Sequence, residues 1–332
     1  MLPVALYVCP QTVLSSLGLA LDSLQLANRL AGRELFRVRQ VSADGAAVPL
    51  AHARIEAQAA LAAVASDELL LIPATGSDIP AMLAGNPALL AWLRQQPRQR
   101  ALGSLCSSAF LLAEAGQLDG HRATTHWALA AEFRRRYPRV KLEADALCTE
   151  DGARLCSGGA QAGLDLCLQL IARHGGRALA RQVAAVLVFD DARGSQARYA
   201  PLLPQPPRST LAPLLDWLRQ HHAEPIDLPA MAHRAHCSSR TLLRRFHAEL
   251  GMTPNEYLQR LRMDAAREAL ADPARSLERI ANEVGYADRA SFARLFKQLC
   301  GESPGAYRQR LQGRLAAPWI AGGVRAYDSG QA

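Results

Sequence analysis

Between Ser276 and Arg310 the apolar positions form two helical stripes separated by a turn. Leu277, Ile280, Ala281 and Val284 recur at i, i+3, i+4 and i+7, and Phe292, Leu295, Phe296 and Leu299 repeat that spacing. Ser276 stands where the first helix needs a side-chain acceptor for its orphan N–H groups, and Asp288 stands there for the second. Gly285, able to take positive φ, ends the first helix. The free face of the second helix carries Arg289, Ser291, Arg294 and Lys297. A short cationic helix braced by another is the form that enters a DNA major groove.

The pattern occurs twice. Residues 228–257 superpose on 277–307: Leu228, Met231, Ala232 and Ala235 match the first stripe at an offset of 49. After the turn the offset is 50, and Leu242, Phe246, Gly251, Pro254 and Tyr257 match Phe292, Phe296, Gly301, Pro304 and Tyr307. A register kept through glycine, proline and aromatic positions, with one residue added inside a turn, marks an internal repeat.

The first 200 residues alternate differently. Short apolar runs at Val4–Val8, Phe36–Ser42, Glu68–Pro73, Arg100–Leu105 and Ala123–Thr125 read as strands, with a loop over Ala74–Pro80. A hairpin is expected at Ala146–Thr149 and Arg154–Ser157. Helical spacing is expected over Leu14–Leu30, Pro87–Gln96, Ser107–Gly116, Ala128–Tyr137, Gln161–His174 and on to about Val188. In Leu14–Leu30 the core side would be Leu17, Leu21, Leu24 and Ala27 or Asn28. Strands alternating with helices predict a doubly wound, flavodoxin-like α/β domain, here over 1–198. Tyr199–Ser209, with four prolines, reads as a semi-rigid linker. An all-α domain with two helix-turn-helix motifs follows over 210–313, with a connecting helix over Pro254–Ala271 and a loosely ordered tail over 314–332.

Composition changes this picture little. No apolar run approaches the roughly 18 residues of a membrane span, and the apolar start lacks a basic n-region, so no membrane partner is expected. Seven cysteines, odd in number and without a C-x-x-C pair, support neither a disulfide framework nor a zinc site. A reducing cytoplasm, no metal and no cofactor are the expectation. The net charge is +8, but residues 209–313 hold 15 basic against 12 acidic side chains, and 1–208 hold 21 against 17. DNA binding therefore rests on where the arginines fall and not on bulk charge.

IANEVGYADRASFARLFKQLCGESPGAYR resembles the signature of the AraC/XylS-type transcription regulators. The resemblance implies base reading from Ser239, Arg240, Thr241 and Arg244 in the first unit and Arg289, Ala290, Ser291 and Arg294 in the second. An arginine fork meets O6 and N7 of guanine together. Arg245 and Lys297 are expected on phosphates. Leu243 falls where the family often carries a polar reader, and offers a thymine methyl an apolar surface or leaves that base unread.

In the first half, GSLCSSAF places Cys106 at a strand-to-helix turn, where backbone N–H groups and a helix N-terminus would favour thiolate. His126, in ATTHW, completes a candidate Cys/His pair. LCSSAFLLAEAGQLDGHRATTHWALAAEF and SGGAQAGLDLCLQLIARHGG resemble the ThiJ/PfpI, class I glutamine amidotransferase-like domain, and the whole chain resembles the GlxA type of AraC regulators. Enzymes of that superfamily add an acid near the first strand–helix turn, where this chain has Gln11-Thr12-Val13-Leu14, with Asp22 further on. The resemblance implies instead a receptor pocket lined by Cys106, Ser107, Ser108, His126 and Trp127, for an amine or amino-acid-related effector. The expectation is a metabolite-responsive activator of a catabolic operon, bound to double-stranded promoter DNA, homodimeric, and contacting RNA polymerase. A DNA-tethered cysteine amidase or hydrolase, and a redox sensor acting through Cys106, are the alternatives.

Overall fold

In a computed structural model the chain is described over residues 1–190, 195–196, 199, 203 and 210–316, with side chains as far as 312. It divides into two compact units, Met1–Ala200 and Pro201–Ala332. The expected linker, apart from Tyr199 and Leu203, and the tail beyond 316 lie outside the described residues.

The first unit is built on β1 (Leu2–Tyr7), α1 (Leu14–Ala31), β2 (Phe36–Ser42), β3 (Val48–Pro49), β4 (Arg54–Ile55), β5 (Ala59–Ala60) and β6 (Leu69–Ile72). There follow α2 (Ile79–Ala84), α3 (Pro87–Arg94), β7 (Leu102–Leu105), α4 (Ala109–Glu114), β8 (Arg122–Ala123), α5 (Ala130–Arg136) and β9 (Lys141–Leu142). β10 (Cys148–Asp151), β11 (Arg154–Ser157), α6 (Ala162–Gly175) and α7 (Arg177–Val186) complete it. The main sheet runs β10-β11-β7-β6-β1-β2-β5, parallel except for the β10–β11 hairpin. Chain order reverses beside β1, giving the flavodoxin-like arrangement with its switch point between β1 and β6.

Alternation along the buried strands makes two cores. Val4, Leu6, Leu69 and Leu71 face α1, α6 and α7, whereas Ala5, Tyr7, Leu70 and Ile72 face the α2–α5 side. Leu17, Leu24 and Ala27 of α1 are buried, but Leu21 is only half-buried, and Ala20 and Leu26 take core positions instead. The half-buried Asn28 secures the turn into β2: its Oδ1 accepts from the N–H groups of Leu35 (2.8 Å) and Phe36 (2.9 Å). The Arg154 guanidinium, 1% exposed, donates to the carbonyls of Gln117 (2.7 Å) and Arg100 (2.7 Å) and also to Gln117 Oε1, which binds two loops to β11.

Two expectations need correction. The strand at Ala123–Thr125 is not part of the main sheet: β8 ends at Ala123 and pairs with β9, leaving Thr124 and Thr125 in a loop. The stretch taken as loop over 74–80 already enters α2, whose start is capped by Asp78 Oδ1 accepting from the Ala81 N–H at 3.0 Å, with Pro80 in the first turn.

The second unit is helical: α8 (Ala212–His221), α9 (Leu228–Arg234), α10 (Ser239–Leu250), α11 (Pro254–Ala269), α12 (Leu277–Glu283), α13 (Arg289–Cys300) and α14 (Pro304–Ala316). α14 continues three residues into the stretch expected as tail. The duplicated stripes form two separate cores. Met231, Ala232, Leu242 and Phe246 pack with Tyr257, Leu258 and Leu261, while Ile280, Ala281, Phe292 and Phe296 pack with Met263, Ala266 and Tyr307. No described helix of the chain is long and apolar enough to cross a membrane.

Candidate nucleic-acid interface and candidate ligand pocket

Each helix-turn-helix unit is held open by side-chain caps. Ser238 Oγ accepts from the Thr241 N–H (3.2 Å) at the start of α10, and Asp288 accepts from Ala290 (2.9 Å) and Ser291 (2.8 Å) at the start of α13. A hydrogen bond from the Ser291 hydroxyl, and then those from the Ala290 and Ser291 N–H groups, hold the Asp288 carboxyl below the usual carboxylate range, with a smaller contribution from the Arg294 charge. Buried Leu242 and Phe246, and Phe292 and Phe296, fix the rotation of each helix.

That rotation sends the predicted cations outward. Arg240, Arg244, Arg289, Arg294 and Lys297 are exposed, as are Ala290 and Ser291, and none of the five cations has a hydrogen bond or ion pair among the described residues. Several other arginines of this unit are occupied. Arg275 and Arg279 pair with Glu283 (3.2 and 2.8 Å), Arg310 pairs with Glu302 (2.7 Å), and Arg219 pairs with Asp216. Arg245 also differs from the expected phosphate contact. Its guanidinium donates to the Thr210 carbonyl (3.0 Å) and hydroxyl (2.7 Å). Ser239 and Thr241 are half-buried, and the Thr241 hydroxyl lies 2.9 Å from Ser238 Oγ, so it belongs to the cap.

In the first unit Cys106 follows β7 directly, begins a single 3-10 turn over Cys106–Ser108 and has φ 61. This is the strained backbone of a nucleophile elbow. The predicted pocket set nevertheless divides. Ser107, 1% exposed, accepts from the Thr75 N–H at 3.0 Å. Ser108, fully buried, accepts from the Leu105 N–H at 2.9 Å, and its hydroxyl lies 2.7 Å from the Ile72 carbonyl. Both hydroxyls tie the ends of β6 and β7 together. His126 and Trp127 line a cavity of about 140 Å³ with Leu147, Gly159, Gln196 and Tyr199.

The thiolate expectation is overturned. Cys106 is 8% exposed, and burial pushes its thiol up to about 11, against the smaller lowering by its hydrogen bonds to Ser107. Burial also lowers the His126 pKa, and its Nδ1 accepts from the Ala128 N–H at 3.1 Å, which puts the ring proton of the neutral imidazole on Nε2. Among the described residues no hydrogen bond joins the Cys106 thiol to the His126 ring. The segments meet instead through Thr125 Oγ1, which donates to the Cys106 carbonyl at 2.9 Å. Asp22 is exposed on α1, and Gln11, whose Oε1 accepts from Asn86, is an amide and not an acid, so neither supplies an acid to the pair. With a thiol near 11, roughly one Cys106 in ten thousand is thiolate at pH 7. Its alkylation by iodoacetamide, followed by mass spectrometry, should climb about tenfold per pH unit from 7 to 10. A plateau below pH 9 would contradict the burial argument.

Gln196 has no signal in the sequence. It is 2% exposed, and its Nε2 sits among the acceptors Thr125 O (2.9 Å), Ala144 O (2.6 Å), Ala146 O (3.2 Å) and Thr124 Oγ1 (3.2 Å). Its Oε1 is buried and has no hydrogen-bond partner among the described residues. Gln196 stands just before the proline-rich stretch and Tyr199 opens it, both without any periodicity, so pattern reading passes over them.

Comparison with known proteins separates the same two regions. Residues 231–310 match the helix-turn-helix domain family, and residues 15–173 match the DJ-1/PfpI family. The chain is 30% identical over 316 residues to the HTH-type transcriptional regulator GbdR of Pseudomonas aeruginosa, covering 89% of this chain and 81% of that protein. It is 31% identical over 309 residues to the regulator CdhR of the same organism, covering 90% and 88%. Among solved structures, a candidate transcriptional regulator from Vibrio parahaemolyticus superposes with TM-score 0.51 at 19% identity, covering 56% of this chain and 98% of that one. That likeness concerns the fold.

Proposed function

The chain belongs to the HTH-type transcriptional regulators that join a DJ-1/PfpI domain to an AraC-type helix-turn-helix domain, and we propose that it is a metabolite-responsive activator of a catabolic operon. It is a DNA-binding transcription factor. In this reading it works in the cytoplasm as a homodimer, recruits RNA polymerase, and reads promoter bases with Arg240, Arg244, Arg289 and Arg294 while Lys297 holds a phosphate. The observation that carries the reading is that these five exposed cations on two duplicated helices have no hydrogen bond or ion pair among the described residues, whereas Arg275, Arg279 and Arg310 are neutralised by carboxylates.

The effector site in this reading is the cavity at His126, Trp127, Gln196 and Tyr199, not the floor formed by Ser107 and Ser108. At about 140 Å³ it suits a ligand smaller than drug size. Gln196 lines the cavity and its buried Oε1 has no hydrogen-bond partner among the described residues, so a shift of this side chain on binding would give a ligand N–H an acceptor, in keeping with an amine or amino-acid-related effector. An effector acts only if it binds two states of the regulator differently. A thermal-shift screen with small amines and amino acids tests this. A true effector at a hundredfold excess over its Kd should stabilise the chain by about 2.7 kcal/mol, and Trp127→Ala should abolish the shift. A full shift in Trp127→Ala would place the site elsewhere.

The elbow at Cys106, with its φ of 61, favours a second reading as a cysteine-dependent amidase or hydrolase. The protonated thiol, the missing hydrogen bond to His126 and the missing acid count against it. Cys106→Ala should leave effector-dependent promoter binding intact, whereas the second reading requires that variant to lose all turnover.

A further inference from the structure

We infer that Arg262 is the joint that fixes the spacing of the two recognition helices, which makes it a positioning residue for sequence specificity. This rests on the DNA-binding reading above. Among the described residues the two cores of the helical unit share no member. α11 feeds both, giving Tyr257, Leu258 and Leu261 to the first and Met263 and Ala266 to the second, and Arg262 stands at the division.

Its guanidinium joins what the cores leave separate. Nε donates to the His222 carbonyl at 2.7 Å, and one terminal nitrogen donates to the Glu224 carbonyl at 2.7 Å; both carbonyls lie in the loop that leads into α9. The other terminal nitrogen donates to the Gly285 carbonyl at 3.3 Å, in the turn of the second unit. The Tyr286 ring centroid lies 5.4 Å from the guanidinium carbon. Only a planar fork with several fixed donors holds three carbonyls in this way. The backbones also touch here: a Cβ on Gly285 would stand 2.6 Å from the Ala223 carbonyl oxygen. Beside this contact is an open groove bordered by Pro225, Ile226, Asn282 and Ala287.

Two DNA-reading modules in one chain gain affinity because seating one raises the effective concentration of the other. A stiff joint makes that gain large and confines it to one spacing of the half-elements. A loosened joint makes it smaller and indifferent to spacing.

The test uses the full chain and a duplex that it selects from a random library. That duplex is remade with two base pairs added or removed between its half-elements, and again with one half-element scrambled. Arg262→Gln should lose about tenfold in affinity on the native spacing. It should bind the re-spaced and single-element duplexes as the wild type does, so that its preference for spacing shrinks by the same factor. An unchanged preference, or an equal loss on the single-element duplex, overturns the inference. Should Arg262→Gln melt below the assay temperature, Arg262→Lys is read in its place. Its ammonium cannot hold all three carbonyls, so a full spacing preference in that variant also overturns the inference. A wild-type chain that selects no two-element site would sink the DNA-binding reading itself, a result distinct from these.

Discussion

Replacing Arg240 and Arg289 together by alanine is expected to abolish recognition of the selected operator while leaving the protein folded. A bidentate arginine–guanine contact is worth about 1–3 kcal/mol of discrimination, so losing one on each recognition helix costs roughly 30-fold to 10⁴-fold in affinity. Both side chains are exposed and neither is hydrogen-bonded among the described residues, so the melting transition should move by less than about 0.5 kcal/mol. Fluorescence anisotropy on the operator and on a scrambled duplex reads the effect. The double variant should bind both duplexes alike. Lys297→Ala should behave differently, weakening both and lowering the salt slope of log K by about one. A double variant that still prefers the operator would remove these arginines from base reading.

Gly285→Ala is expected to give the largest loss of stability in the helical unit. Gly285 has φ +85, and an alanine methyl there would stand 2.6 Å from the Ala223 carbonyl oxygen and 3.1 Å from the Arg262 guanidinium carbon. The left-handed backbone alone costs an L-residue about 1–2 kcal/mol. The overlap is with backbone, which cannot swing aside, so the total should reach about 3 kcal/mol or more. Gly251→Ala is the control. It shares a positive φ of +68 but meets nothing within 4 Å, so about 1 kcal/mol is expected. Thermal melts of the two variants separate strain from collision, and equal losses would show that the contact with Ala223 is without consequence.

The repeat explains why so much of the helical half was legible. Stripes at i, i+3, i+4 and i+7 named Ile280, Ala281, Phe292 and Phe296, all of which are buried. Ser276 and Asp288 cap the helices that they were expected to cap. What the pattern could not carry was the identity of nonlocal partners. Arg245 looks like another surface cation until Thr210, 35 positions away, is seen to hold it. Arg262 is one arginine among many in the sequence, and only the fold brings His222, Glu224 and Gly285 around it. At the strand-to-helix turn the sequence located Cys106 correctly but misjudged its ionisation. Motif spacing conveys the nearby N–H groups and not the depth of burial, which dominates here. The pocket was half legible: His126 and Trp127 lie in a recognisable stretch, whereas Gln196 reaches the site from a segment without periodicity. The same histidine that the motif suggested as a base is held neutral, with Nδ1 occupied by the Ala128 N–H.

On the proposed reading, one chain reads DNA through two arginine-bearing helices set apart by a fixed joint. Hydroxyl-radical footprinting of the full chain on its selected duplex, at a protein concentration where one chain is bound, tests it most directly. Two protected patches on one face of the duplex, about one helical turn (~10 bp) apart and unrelated by a palindrome, are the predicted result. A single protected patch per bound chain would contradict it.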